Sequence, residues 1–473
     1  MNVIRNYLYN VGYQLLALIV PLITAPYVSR VLTPKGVGYY SYTNSIIQYF
    51  ALIASVGIGY YGNRQIAYYR DNKEKMSIEF WEILIVKLIF FLISFLLFIF
   101  FVRIYNKFSI YLWAQFIYVL ADFIDISWFY MGLEDFKRTV IRNTLVKIIS
   151  TILIFILVRT PNDLVIYILI LSLSTLFADL TLWPPLKNII IPVQLRSLNP
   201  WKHIIPTLIL FIPQIATQLY VQLNKTMLGV MDSTNASGFY QYSDNLVRMV
   251  LAIVTSVGTV MLPHVANTFS KGDIDEVNNL LYKSFDFVSL LAFPLSFGIA
   301  GISIKLAPLF YGKGFAQVGE AMLIESSIII WIAWSNTIGT QYLIPTNKVK
   351  DYTNAVSLGA ITNIAINIPL IHVWGLYGAM FSTAISEMVV MLYEMIKIGK
   401  QIRYKRLLKN CFKYFVASLI MFALVFYLNI TLKMSVLSII LEIFIGLIIY
   451  SFTIIFLKPS ILSEIEVLKK LKF

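Results

Sequence analysis

Arg248 is the residue most in need of explanation. It stands ten residues into an apolar run that opens at Gly238, about 15 Å along a helix rising 1.5 Å per residue. A guanidinium at that depth offers a planar fork of donors that suits phosphate oxygens. Asp244, four residues earlier on the same helical face, offers the plainer role of neutralising it. Arg30, Arg64 and Lys225 are further candidates for an anionic headgroup, although topology anchoring or a lysine stem reaching the membrane surface explains them as well. The same snorkelling is expected of Lys87, Lys147 and Lys305, each within a few turns of a run's end. Three acids, Asp122, Asp125 and Glu387, lie deeper. A carboxyl inside a membrane is a candidate for proton or sodium coupling, although an acid held by helix–helix hydrogen bonds is the commoner case. Asp179 and Glu394, close to run ends, carry less weight. Tyr40, Tyr42, Tyr240 and Tyr242, with Tyr39 and Gln48, could stack on or hydrogen-bond sugars; an aromatic belt accounts for the tyrosines equally.

No catalytic constellation accompanies these groups. His203, His264 and His372 are far apart and near run ends, which suits the membrane surface better than a metal. "YGKGF" at 311–315 lacks the first glycine and the Ser/Thr of a phosphate-gripping loop. The single cysteine, Cys411, excludes an internal disulfide. The expectation is a chain with no enzymatic activity, metal or cofactor. Energy would come from H+ or Na+, the membrane potential or mass action.

The elements that carry these residues follow from composition. Hydrophobic residues make up 59% of the 473 and charged residues 13%, about half of the roughly 25% usual in soluble domains. Mean hydropathy is +0.76. The apolar residues lie in continuous, non-alternating blocks about 20 long, the length that crosses a hydrocarbon layer about 30 Å thick as a helix. Fourteen spans are expected: 10–31, 38–63, 80–102, 108–131, 140–158, 163–183 and 204–230, then 238–265, 284–310, 321–343, 352–372, 376–398, 412–430 and 436–457. Of the 38 Lys and Arg, with those at span edges (Arg30, Arg142, Lys397 and Lys413) counted with the adjoining loops, 26 fall on the side of the N-terminus, seven on the opposite side and five deeper within spans. That asymmetry places both termini in the cytoplasm of a multi-pass plasma-membrane protein. The basic loop "KIGKQIRYKRLLKNCFK" reads as an anchor near anionic lipid, not a nucleic-acid site. The first span lacks a cleavage site and should remain as a helix. The tail "PSILSEIEVLKKLKF" reads as a short helix on the inner surface.

The chain also repeats itself. "GYYSYTNSIIQYF" at 38–50 aligns without gaps on "GFYQYSDNLVRMV" at 238–250, with Asn44 and Gln48 of the first copy opposite Asp244 and Arg248. Each copy follows a proline-bearing span and precedes a polar loop. The expected organisation is a six-helix lobe at 1–187, a cytoplasmic loop at 188–203, a second six-helix lobe at 204–399, and two further helices with a tail at 400–473. The two lobes run in the same direction. Transporters built on such repeats place their path between the lobes near the midplane.

The run "APYVSRVLTPKGVGYYSYTNSIIQYFALIASVGI" resembles the opening of polysaccharide and oligosaccharide-lipid flippases of the multidrug/oligosaccharidyl-lipid/polysaccharide (MOP) exporter superfamily. The matching pieces are Arg30-Val31-Leu32, Pro34-Lys35-Gly36 and Gly38-Tyr39-Tyr40. "NKTMLGVMDSTNASGFYQYSDNL" resembles the family's Asp-Lys-x-Met-Leu-Gly block, with Asn224 where the family carries Asp; "GLYGAMFSTAISE" matches a third block. The resemblance covers spans one to twelve. It implies a flippase moving undecaprenyl-pyrophosphate-linked oligosaccharide across a bacterial plasma membrane by alternating access. Membrane lipids and polysaccharide-assembly proteins would be its partners. The alternative is a cation-coupled multidrug antiporter of the same superfamily. A membrane polymerase or ligase would want a large external loop with paired acids, which the span edges leave no room for.

The orientation is open to a direct test. With Cys411→Ser as background, a single cysteine in the Lys397–Lys413 loop should stay unlabelled by an impermeant thiol reagent outside intact cells, and one at Asn106 should label. Labelling of the basic loop from outside would reverse the topology.

Overall fold

The computed structural model describes residues 2–194, 196 and 198–460, with backbone alone for 2–18, 136–138, 141, 210, 212–217, 219–220 and 259–260. The surface helix expected of the tail falls largely on 461–473, outside the described residues. Among those described, every regular element is helical. Unit by unit these are α1 (Asn2–Ser55), α2 (Ile58–Tyr69), α3 (Lys73–Ile104), α4 (Ser109–Ile124), α5 (Ser127–Gly132), α6 (Phe136–Leu157), α7 (Leu164–Leu180), α8 (Trp183–Leu186) and α9 (Ile204–Met231). There follow α10 (Thr234–Ser270), α11 (Ile274–Tyr311), α12 (Ala316–Glu325), α13 (Ile328–Ser335), α14 (Val349–Ile398), α15 (Tyr404–Leu407), α16 (Cys411–Thr431) and α17 (Val436–Leu457). A π-helical stretch, Asn336–Leu343, continues α13.

Two of these helices are too long to be single rods. α1 breaks at Thr33, where φ is 61° and ψ 171°. α14 breaks at Gly375, where φ is 52° and ψ −126°. Among the described residues nine helical runs are long and apolar enough to cross a membrane, or ten with the bent pair Lys313–Glu325 and Ile328–Leu343 taken as one. Two of the nine, Ile19–Tyr69 and Val349–Ile398, contain these breaks. α6 and α9, with 22 and 28 residues, also have spanning length.

The sequence repeat has a matching backbone. Thr33 breaks the chain before the first copy, and Ser233, 200 positions later, caps the second by accepting from the Ala236 N–H at 3.1 Å. Asn72 caps α3 through the Lys75 N–H, and Asp273 caps α11 through the Glu276 N–H, both at 3.0 Å. The fourth helix of each half is interrupted at the same offset, at 125–126 and at 326–327. These are N-cap and break signals that short polar side chains supply.

By contacts the chain forms two compact units, Met1–Gly229 and Val230–Phe473. The boundary falls at the end of α9, one helix later than the loop at 188–203 where the repeat divides the sequence. In the first unit Phe98 stacks on Phe116 at 4.2 Å between α3 and α4. Gly62 lets α2 meet α5, since a Cβ there would lie 2.4 Å from the Trp128 ring. In the second unit α16 and α17 pack on α11 through Phe285, Phe293, Tyr414, Met421, Val425 and Tyr450.

The helix breaks free backbone carbonyls that lipid cannot satisfy. At the first break the Trp183 indole N–H donates to the Ile124 carbonyl at 3.0 Å, and the Lys87 ammonium donates to the Asp125 carbonyl at 2.7 Å. Lys87 is 3% exposed, so it does not snorkel: the broken helix beside it offers a nearer acceptor than the membrane surface. At the second break the Ser296 hydroxyl donates to the Ser326 carbonyl at 2.8 Å. Lys305 does reach a helix end, donating to the Ile430 and Leu432 carbonyls that close α16.

The Gly375 break is held by Asp232, whose Oδ2 accepts from the Leu376 N–H at 3.0 Å. A Cβ at 375 would lie 2.4 Å from that oxygen, and the positive φ adds about 1–2 kcal/mol for any L side chain. Gly375→Ala should therefore lower the melting temperature of the detergent-solubilised protein. Gly59→Ala, where a Cβ meets nothing, should not.

Candidate functional site

One polar cluster of the second unit lies around a turn of α10. Arg248 Nε donates to Asp244 Oδ1 at 2.6 Å, with Asp244 buried and the Arg248 side chain 36% exposed. α10 begins at Thr234, four residues before the apolar run suggests, so Arg248 lies about 21 Å along it. Ser243 donates to Glu325, the last residue of α12, whose carboxyl also lies against Asp244. Tyr240, one turn earlier, bonds Thr383 of α14 at 3.0 Å. Tyr242 is stacked on Tyr311 of α11 at 4.2 Å. Arg248, Asp244 and the tyrosines stand out in the sequence, whereas Glu325 does not, because its partners lie some 80 positions away.

The first unit has its own charge cluster, at the break between α4 and α5. Asp125 accepts from the Ser127 N–H at 2.9 Å and the Ser127 hydroxyl at 2.7 Å, capping α5. Arg142 of α6 reaches Asp179 of α7 at 2.9 Å and Asp125 at 3.5 Å. Asp122 keeps one buried oxygen with no hydrogen-bond donor. Asp179 is thus a buried partner in an ion pair, not a residue of little weight, because the C-terminal end of α7 is covered by α6.

The other candidates are dispersed. Arg30 donates to the Pro26 carbonyl at 2.8 Å and shares a shallow hollow with Tyr27, Arg159 and Pro161. Arg64 is exposed and lies over the Tyr61 ring at 5.6 Å. Lys225 is half-buried, 3.4 Å from Gln222 Oε1. Tyr42 is buried, bonded to the Tyr105 hydroxyl at 3.0 Å and laid on Gly229. Tyr240 and Tyr242 are likewise buried, whereas Tyr39, Tyr40 and Gln48 keep partial exposure. Glu387 is half-buried. Glu394, given little weight from its sequence position, is fully buried against Gly339 of the π-helical stretch, with both oxygens lacking a donor in hydrogen-bond geometry.

A further cluster sits where the chain enters α9. His203 is buried, with Nδ1 on the Tyr61 hydroxyl at 2.7 Å and Nε2 on Glu82 at 2.8 Å. Glu79, Glu82 and His203 bring ligand atoms together as a metal site would. Lys202, however, lies 2.9 Å from Glu79 and 2.7 Å from Glu82, where a metal ion would sit. Burial works against the lysine's charge, but its bonds to Glu82 and Glu79 outweigh that and hold the ammonium above its ordinary range. The cluster ties 199–203 to α3 rather than binding a metal. His203 is therefore a core residue, which only the approach of α3 could reveal.

The family of polysaccharide biosynthesis proteins matches residues 3–269, and the lipid II flippase MurJ family matches residues 141–447. An Escherichia coli (strain K12) protein named "Putative O-antigen transporter" is 23% identical over 400 residues, covering 82% of this chain and 94% of that protein. The lipid II flippase MurJ of Bacillus subtilis (strain 168) is 25% identical over 184 residues, covering 38% of this chain and 34% of that protein. Among solved structures, lipid II flippase MurJ in an inward closed conformation has a TM-score of 0.72 at 15% identity, over 96% of this chain and 98% of that one. An inward-facing MATE family multidrug resistance transporter of the MOP superfamily has a TM-score of 0.62 at 13% identity, over 82% and 95%. The structural likenesses carry the fold; the two family models, each spanning more than half of the residues, carry the kinship. The chain belongs to the polysaccharide biosynthesis proteins and MurJ-type flippases of the MOP superfamily, and is a multi-pass membrane transporter rather than an enzyme.

Proposed function

We propose that this transporter flips undecaprenyl-pyrophosphate-linked oligosaccharide repeat units from the inner to the outer leaflet for surface polysaccharide assembly. One observation carries the reading: a chain of this family holds a guanidinium, Arg248, on an apolar helix with its carboxylate partner beside it in the same turn. A pyrophosphate crossing a bilayer must exchange its hydration for fixed donors, and a guanidinium supplies two in one plane. Arg30, Arg64 and Lys225 would meet the headgroup at the two mouths. Tyr40, Tyr42 and Gln48 in the first unit, and Tyr240, Tyr242 and Asp244 in the second, are the candidates for contacts with the sugar.

The same reading takes fourteen spans, both ends in the cytoplasm and alternating access of two six-helix lobes. Dividing α1 and α14 at their breaks, joining the bent pair and adding α6 and α9 supports that count. Coupling to H+ or Na+ through Asp122, Asp125 or Glu387 is part of it. Asp122, with a buried oxygen lacking a donor, suits that role better than Asp125, which caps α5. The drug-antiporter alternative draws on fold likeness alone.

Deletion should remove a surface polysaccharide while its lipid-linked repeat unit accumulates inside, read by extraction and mass spectrometry of the lipid pool. Normal surface polymer in a strain without a second flippase, or a gain of drug sensitivity instead, would overturn the reading.

Within the site, Arg248→Ala should abolish flipping at near-normal abundance, and Arg248→Lys should keep part of it. If Arg248 merely neutralises Asp244, Arg248→Ala strands a buried carboxylate at about 3–5 kcal/mol and lowers protein levels. The double variant Asp244→Asn with Arg248→Gln then decides: stable and inactive supports a headgroup role, stable and active excludes it.

A further inference from the structure

Glu325 closes α12 at the break before α13 and is 0% exposed. One of its oxygens accepts from the Ser243 hydroxyl, and the other has no donor. The Asp244 carboxyl lies within hydrogen-bonding reach of it, while Asp244 Oδ1 takes the Arg248 Nε at 2.6 Å. An ionised carboxylate can only accept, so a carboxyl oxygen with no donor, set beside a second carboxyl, is repelled by it unless a proton fills the gap. The ionisable groups facing Glu325 from α10 are Asp244 and Arg248, with Tyr240 one turn earlier. From α14 the Thr383 hydroxyl reaches Tyr240, and from α11 Tyr311 stacks on Tyr242.

We propose that Glu325 and Asp244 form a proton-binding pair that answers the charge on Arg248. With Arg248 on Asp244, the two carboxyls hold one proton and the three groups together are neutral. When a phosphate draws the guanidinium away, the pair is left with a buried negative charge and takes up a second proton from hydronium: a carboxyl O–H bond forms as the hydronium O–H bond breaks and water is released. Proton binding and phosphate binding then strengthen each other through one arginine, by linkage. The phosphate half of this rests on the headgroup role proposed for Arg248. The proton pair rests on the geometry alone.

Infrared difference spectroscopy on the full chain in lipid nanodiscs at neutral pH, without substrate, reads protonated carboxyls directly. Glu325→Gln should lose the signal of one protonated carboxyl relative to the native chain, because the shared proton loses one of its two carboxyls. Asp244→Asn should lose the same signal, which keeps the test available if either variant folds poorly. Arg248→Gln should gain one, reproducing the state in which the arginine is drawn away. An unchanged carboxyl region in Glu325→Gln and Asp244→Asn, or no gain in Arg248→Gln, overturns the pair. Adding a short isoprenyl pyrophosphate to the native chain should produce the Arg248→Gln signal. If the variants behave as stated and the pyrophosphate changes nothing, the link to a phosphate falls, and surface polymer in the deletion strain judges the flippase reading separately.

Discussion

A charge inside a hydrocarbon layer has no water to answer it, and the particular features of this fold follow from that. Leaving one there costs about 2.5–3.5 kcal/mol even on the lenient insertion scale. The chain pairs its buried charges within each unit. Arg142 answers Asp179 and Asp125, and Asp244 answers Arg248. Lysines serve where an ammonium can reach exposed carbonyls, as Lys87 and Lys305 do. The exceptions among the described residues are carboxyls with at least one oxygen lacking a donor, on Asp122, Glu325, Glu394 and Glu442.

The same constraint governs backbone. A helix broken in lipid exposes carbonyls that must be met from neighbouring helices, yet the fourth helix of each half is broken at the same place in the repeat. In the first half the break carries Asp125 and is served by Lys87 and Trp183. In the second it follows Glu325 and is served by Ser296. Each break thus brings an acid close to a cation on a neighbouring helix or turn: Arg142 in one unit, Arg248 in the other. Keeping so costly a feature in both copies suggests that the bent helix is useful to a cycle in which helices must flex.

The duplicated helix diverged where charge is concerned. Both copies keep buried tyrosines with hydrogen-bonded hydroxyls, Tyr42 on Tyr105 and Tyr240 on Thr383. Asn44 and Gln48, half-buried in the first copy, became or arose from the Asp244–Arg248 pair of the second. On the function proposed here, one anionic headgroup calls for one cationic locus, and a second would only hold it longer. The asymmetry is what a path for a single charge would select.

The amino-acid sequence by itself determined the fold class, because blocks of about 20 apolar residues leave few alternatives to membrane helices. It also determined the repeat and the Arg248–Asp244 pair, since residues four apart on a helix are neighbours whatever surrounds them. Helix starts were less legible: α10 opens at Ser233 through a side-chain cap, before the apolar run begins. What only the tertiary structure decided lies between helices. Lys87 reads as a snorkelling lysine until the break in α4 is beside it. Asp179 and Glu394 read as end-of-helix acids until neighbouring helices bury them. His203 reads as a surface residue until α3 delivers Glu82, and Glu325 does not stand out in the sequence until α10 sets Ser243 and Asp244 against it. The physical reason is common to all of them. A buried polar group is defined by the partner it meets, and here those partners come from helices distant in sequence.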